Sequence, residues 1–214
     1  MLIKDIVSNG FEYYLSIFST DAMPSVKKTL DLPHVAFFGA SNSGKSSLIS
    51  SLCKVKNLSF SSKTPGKTKE ILIFTPKHPF FHKKSFFTDF PGYGYAKASN
   101  ATLKQWEAIP EFISQVNIEK NYILIPIKKS MSNNDIAMIE SLQNKSFCIV
   151  LTKCEKSTPI EILQKKEDIT KICSIFPHFT GQIFSTSARS EKNMQNLEIL
   201  QEIFDIFKRR INGI

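Results

Sequence analysis

The sequence predicts an α/β fold: a mostly parallel sheet of six strands with one antiparallel edge strand and helices on both faces. Two observations carry this. Short runs rich in Ile, Val and Phe alternate with longer segments of helical period, the pattern of strands joined by crossover helices. A complete phosphate-turn spacing stands where the first such strand meets the first helix. In order, strands are expected at 34–38, 69–74, 84–88, 122–127, 146–151 and 182–185, and helices at 46–53, 101–116, 135–142, 159–175 and 193–210. The second and third strands are separated by 75–83, where Pro76 and Pro79 favour a turn over a helix, so this pair is antiparallel and the rest parallel. In the last helix Leu197, Leu200, Ile203, Phe204 and Phe207 recur at three- and four-residue steps, giving one buried stripe. Residues 31–214 read as one domain. Residues 1–30, with Phe11-Glu12-Tyr13-Tyr14-Leu15, read as an N-terminal extension without an assigned element.

Composition bounds the class. At 214 residues, 42% hydrophobic and 22% charged, the chain can bury a core without disulfides or structural metal. A spanning helix needs ~20 consecutive apolar residues, and the most apolar runs, such as Tyr122 to Ile127, are far shorter; no membrane association is expected. Asp5 and Glu12 fit neither a secretion signal nor an acid-free transit peptide. Cys53, Cys148, Cys154 and Cys173 form no CxxC pair and read as reduced thiols. Lys plus Arg exceeds Asp plus Glu by nine, and between Lys54 and Lys84 eight lysines face one acid, Glu70. Such a segment suits an acidic partner, nucleic acid or anionic lipid, or is a solvated basic face.

The chemistry begins at Gly39-Ala40-Ser41-Asn42-Ser43-Gly44-Lys45-Ser46, which fits G-x-x-x-x-G-K-[ST]. Glycines let backbone N–H groups turn inward around phosphate oxygens, and the following helix adds positive potential. Lys45 would reach the β- and γ-phosphates and Ser46 would ligate Mg²⁺. Four further elements follow in order. Asp89-Phe90-Pro91-Gly92 supplies D-x-x-G, with Asp89 toward Mg²⁺ and the Gly92 N–H toward the γ-phosphate. Thr68, in Thr64-Pro65-Gly66-Lys67-Thr68, could complete the Mg²⁺ shell. Thr152-Lys153-Cys154-Glu155 stands where a base-reading [NT]-K-x-D would, and Ser185-Thr186-Ser187 ends the sixth strand.

Together, 39–47, 63–68 and the run Asp89-Phe90-Pro91-Gly92-Tyr93-Gly94-Tyr95-Ala96-Lys97 resemble the EngB (YihA/YsxC) GTPases of the translation-factor class, from about Pro33 to Arg210. The resemblance implies a Ras-like fold and GTP hydrolysis. It also implies a role in large ribosomal subunit assembly, linked to cell division and septation, in the cytoplasm of a bacterium rather than an organelle. GTP and GDP are the implied ligands, the large subunit or its rRNA the implied partner, and a monomer the expected state. Lys45, Thr68 and Gly92 carry the catalytic expectation; Ser46, Thr68 and Asp89 the metal. The nucleotide is expected on Gly39 through Ser47, Gly66, Lys67, Thr68, Asp89 through Gly92, Thr152 through Glu155, and Ser185, Thr186 and Ser187. Two departures stand out: Glu155 replaces the family's Asp, and Pro126-Ile127-Lys128 replaces its D-x-R.

Tyr93 occupies the place of the water-orienting Gln of Ras-type enzymes, and a phenol cannot replace a carboxamide there. Slow turnover is therefore expected until a partner reshapes the loops 59–69 and 91–100; Tyr93, Tyr95 and Lys97 are candidate partner contacts, or the tyrosines pack under the loop. Asn42 resembles the residue that accompanies K⁺ in several GTPases, making K⁺ a second candidate ion, or its side chain only braces the loop. Two alternatives remain open at this level: another RNA-associated P-loop NTPase, and a nucleotide-holding interaction module without turnover.

Overall fold

The computed structural model describes residues 6, 8–17, 31–53, 70–94, 109–110, 112–142, 144–189 and 195–213. In chain order these form β1 (Phe11–Ile17), β2 (His34–Gly39), α1 (Lys45–Cys53), β3 (Ile71–Pro76), β4 (Phe86–Asp89) and β5 (Ile118–Pro126). Then come α2 (Asn133–Ser141), β6 (Phe147–Thr152), α3 (Pro159–Cys173), β7 (Phe179–Ser185) and α4 (Asn196–Asn212). Residues 109–110 and 112–115 are also helical, inside the expected 101–116.

The strands make one sheet in the order β1-β3-β4-β2-β5-β6-β7. β4, β2, β5, β6 and β7 pair in parallel, and β3 runs against both β1 and β4. The fold class is the expected one, with two differences. The sheet has seven strands rather than six, because Phe11–Ile17 pairs with β3; consequently the reversed strand lies inside the sheet and not at its edge. β1 hides in the sequence because only its ends, Phe11 and Ile17, are buried, so no clean alternation marks it. The Pro-containing link between β3 and β4 is the expected turn, tightened by the Phe81 and His82 N–H groups donating to the His78 carbonyl at 2.9 Å each.

Alternation along β2 explains the two-sided core. Val35 and Phe37 face one way, onto Leu48, Ile49 and Leu52 of α1 and Ile199, Leu200, Ile203, Phe204 and Phe207 of α4. Ala36 and Phe38 face the other way, onto Phe112, Ile113, Ile139 of α2 and Ile169 of α3. A strand buried on both faces reads as a continuous apolar run, which is how His34–Phe38 announces itself. One residue of the α4 stripe is corrected: Leu197 is 53% exposed, while Ile206 is buried. Ser132 with Asp135 and Thr158 with Glu161 form capping boxes that start α2 and α3, satisfying backbone donors the first turn leaves unpaired.

Candidate functional site

The chain leaves β2 at the point where strand order diverges, β4 and β3 on one side and β5, β6 and β7 on the other. In open parallel sheets such a point opens a crevice at the carboxyl ends of the strands. The turn Gly39–Gly44 lies there, with Asn42 (φ 64°) and Gly44 (φ 93°) left-handed, and α1 begins at Lys45. Gly39 admits no side chain: a Cβ would stand 2.5 Å from Ser43 Oγ and 3.0 Å from the Leu124 carbonyl.

Two other segments close on this turn. The end of β4 approaches first: Ser41 N–H donates to the Tyr93 carbonyl at 2.9 Å, and a Cβ on Gly92 would meet the Ser41 backbone at 3.0 Å. Phe90, between them, is fully buried and stacks on Phe38 at 4.2 Å, so its side chain anchors the segment in the core. The end of β6 approaches from the other side. Thr152 Oγ1 donates to the Ser43 carbonyl, and Lys153 Nζ donates to the Asn42 carbonyl at 2.7 Å. Lys153 is held at φ 59°, an unfavourable conformation for a residue with a Cβ; strain of this kind concentrates where a side chain must be aimed.

Lys45 and Asp89 form a buried ion pair across the turn. Burial pushes the Asp89 carboxyl above its ordinary range, and the Lys45 ammonium opposes that shift. Ser46, half-buried in the first turn of α1, and Asp89, at the end of β4, carry hydroxyl and carboxylate oxygens, the hard donor chemistry that suits Mg²⁺.

Beside the turn is a cleft of about 180 Å³ lined by Gly44, Ser47, Thr152, Lys153, Glu155 and Arg189, among others. Glu155 is an exposed residue in a short 3₁₀ turn, Cys154–Lys156. The Cys154 thiol points inward to the Leu151 carbonyl, while its N–H donates to the Thr186 carbonyl at 3.1 Å. Ser185, Thr186 and Ser187 are buried at the end of β7, held by Gln195 and Asn196 at the start of α4. The structure thus gathers the candidate residues from 39–47, 89–92, 152–155 and 185–187 at one end of the sheet; Gly66, Lys67 and Thr68 lie outside the described residues.

Tyr93 is corrected. It is not an exposed partner contact: it is 2% exposed, and its hydroxyl donates to Asp135 Oδ1 at 2.7 Å; burial, and then the Asp135 carboxylate, push the phenol pKa up. Asp135 Oδ2 meanwhile accepts from the Ser132 N–H at 2.7 Å, so one carboxylate caps α2 and fastens the chain after Gly92. Sequence spacing carries no signal for this link, since 42 residues separate its partners. Tyr95 and Lys97 lie outside the described residues.

A mostly parallel sheet diverging at a G-x-x-x-x-G-K-S turn, with D-x-x-G and T-K-x-E segments brought against it, defines a P-loop GTPase. The profile of the 50S ribosome-binding GTPase family matches residues 34–153. A probable GTP-binding protein EngB from Thermoanaerobacter pseudethanolicus is 35% identical over 168 residues, 77% of this chain and 83% of that protein. The chain belongs to the EngB family of GTP-binding proteins. Among solved structures, a probable GTP-binding protein EngB aligns over 82% of this chain and 99% of its own, with TM-score 0.59 and 16% identity. Era in complex with MgGDPNP and a segment of 16S ribosomal RNA aligns over 80% of this chain with TM-score 0.62 and 22% identity; this chain spans 55% of the length of that one.

Proposed function

We propose that this GTPase binds Mg²⁺–GTP at the Gly39–Ser47 turn, turns over slowly alone, and acts in assembly of the large ribosomal subunit, with a link to cell division. The observation that carries the site is the double closure on the turn, Ser41 to Tyr93 on one side and Thr152 and Lys153 to Ser43 and Asn42 on the other. In this reading the turn amides and Lys45 hold the phosphates, and Ser46, Asp89 and Thr68 hold Mg²⁺. The Gly92 N–H senses the γ-phosphate, helped by Gly66 and Lys67. Lys153 braces the turn while Glu155 and the 185–187 segment read the base. When bound, Mg²⁺ supplies charge neutralisation to the phosphates. With Tyr93 tied to Asp135, no side chain at that position orients water, which favours slow turnover. Asn42, exposed and left-handed at the turn, is the residue beside which K⁺ would sit; hydrolysis in matched KCl and NaCl decides this, and identical rates remove the ion.

The ribosomal partner is supported by the family's description as 50S ribosome-binding and by the basic segment Lys54–Lys84. Its described lysines, Lys77, Lys83 and Lys84, are exposed around the β3–β4 turn. The test is co-sedimentation with large subunits in GTP, GDP and no nucleotide. Binding that depends on GTP and weakens with salt is expected, and charge reversal at Lys77, Lys83 and Lys84 should flatten a salt slope of about −0.7 to −0.9 per phosphate contact. Nucleotide-independent binding would sink the reading that GTP governs this partnership.

A further inference from the structure

At the opposite end of the sheet from the turn, β5 carries an irregularity that builds a second cavity. His34 pairs with Ile118 and Val35 with Lys120, so the register skips Glu119. In a regular strand neighbouring side chains face opposite ways; a bulge re-aims one of them. Glu119 and Lys120 accordingly line the same cavity of about 380 Å³, together with Ser146, Glu202, Arg209 and Arg210, on a floor that includes Ile206. The strand between this cavity and the nucleotide cleft spans seven steps, roughly 23 Å.

Most polar groups in the cavity are satisfied. Lys120 Nζ donates to Gln182 and Glu202, and the other Glu202 oxygen accepts from the Tyr122 hydroxyl at 2.9 Å. Glu119 is the exception. Its side chain is 8% exposed, Oε2 accepts from Arg210 Nε at 2.7 Å, and Oε1 is buried with no hydrogen-bond partner among the described residues. A buried carboxylate oxygen left unpaired is costly, so a ligand that donates there is favoured. At the cavity's rim, Arg209 and the 56%-exposed Arg210 present guanidinium groups at the end of α4, with Lys208 exposed beside them. The cavity therefore asks for a donor inside, a flat body over Ile206, and anions outside. A simple anion fails the first requirement and a basic peptide fails the last.

We infer that this cavity takes the base of an unpaired RNA nucleotide, its amino group donating to Glu119 Oε1 and the adjoining phosphates lying on Arg209 and Arg210. Unpaired bases are the part of RNA whose edges side chains can read. Arg210, mostly exposed, swings to a phosphate and uncovers the carboxylate. Adenine and cytosine offer an exocyclic amine to Glu119; uracil flanks its N3–H with two carbonyl oxygens that repel it.

The test uses the full chain saturated with GDP and Mg²⁺, so that the first site is filled, and reads fluorescence anisotropy of labelled hexanucleotides. Oligo(C) and oligo(A) should bind roughly tenfold tighter than oligo(U), the worth of a hydrogen bond to a charged group. Glu119→Ala should erase that preference, with GDP binding as the check that it folds. Arg209→Glu, at an exposed position, should weaken all three roughly tenfold through a lost phosphate contact. A preference that survives Glu119→Ala, or binding unmoved by Arg209→Glu, places RNA elsewhere and overturns the proposal. Equal binding of a 12-base-pair duplex reduces the face to a plain basic surface. CMP binding as tightly as oligo(C) makes it a mononucleotide site, and no binding at low salt removes it. Co-sedimentation of the same variants with large subunits reads the ribosomal reading separately, because GTP dependence there does not pass through Glu119.

Discussion

Lys45 and Asp89 hold each other at the mouth of the turn, both almost fully buried. A charge-assisted contact removed from such a site costs about 1.5–3 kcal/mol. Lys45→Ala should therefore weaken GTP and GDP by roughly ten- to a hundredfold in a fluorescent-nucleotide titration, and equal affinities would refute the phosphate role. Glu155 is the other deciding residue. It lines the 180 Å³ cleft from an exposed turn, one methylene longer than the family's aspartate. Glu155→Asp should raise the ratio of GDP to ADP affinity by about tenfold, one recovered hydrogen bond to a charged group; an unchanged ratio means that another residue reads the base. These positions are legible in the sequence because the phosphate turn, D-x-x-G and T-K-x-E are local spacings. The Tyr93–Asp135 bond and the orphaned Glu119 oxygen are not, because they depend on register and on partners far along the chain.

Among the elements, those buried on both faces reveal themselves and the edges do not. β2 and β6 are buried throughout and read as unbroken apolar runs. β1 is half-exposed, and β7 exposes Thr180, Gly181 and Gln182, so the expected 182–185 catches only its end. Yet β1 matters to the core. Phe11 meets Phe87 edge-on at 4.8 Å and is 3% exposed. Phe11→Ala should cost about 3–5 kcal/mol in urea unfolding, the range for a buried Phe. A loss under 1 kcal/mol would show that β1 is an ornament on β3 rather than part of the fold.

For the whole molecule, alkaline pH is the weak side. Burial pushes the Cys154 thiol up to about 11 and Cys173 up to about 12, and raises Cys53, Cys148, Tyr93 and Tyr122 further. Each such group has a folded pKa above its unfolded one. Its stabilisation is fully present below the unfolded value, near 9 for a thiol and 10 for a phenol, and is lost as pH rises toward the folded value. Lys145, Lys153 and Lys166, lowered mainly by burial, work in the opposite sense, but all three are partly exposed. The urea midpoint should be flat from pH 7 to about 8.5 and fall steadily above pH 9. A midpoint that rises between pH 9 and 10.5 would contradict this account.

The meeting of Phe11, Phe87, Phe204 and Phe207 also sets a schedule for synthesis. Phe11 lies 6.3 Å from Phe204, and Phe87 lies 5.8 Å from Phe207, so the first strand and the last helix share one aromatic cluster. When β4 has emerged from a translating ribosome, 106 residues still separate its end at Asp89 from the start of α4 at Asn196. At ordinary elongation rates that interval lasts roughly 5–21 s. Throughout it the α4-facing side of β2 and β4, including Phe37 and Phe87, lacks its cover, even though the phosphate turn has already been made. A nascent chain stalled before Asn196 should accordingly be a chaperone client, and the turn should acquire nucleotide only as the final helix is released.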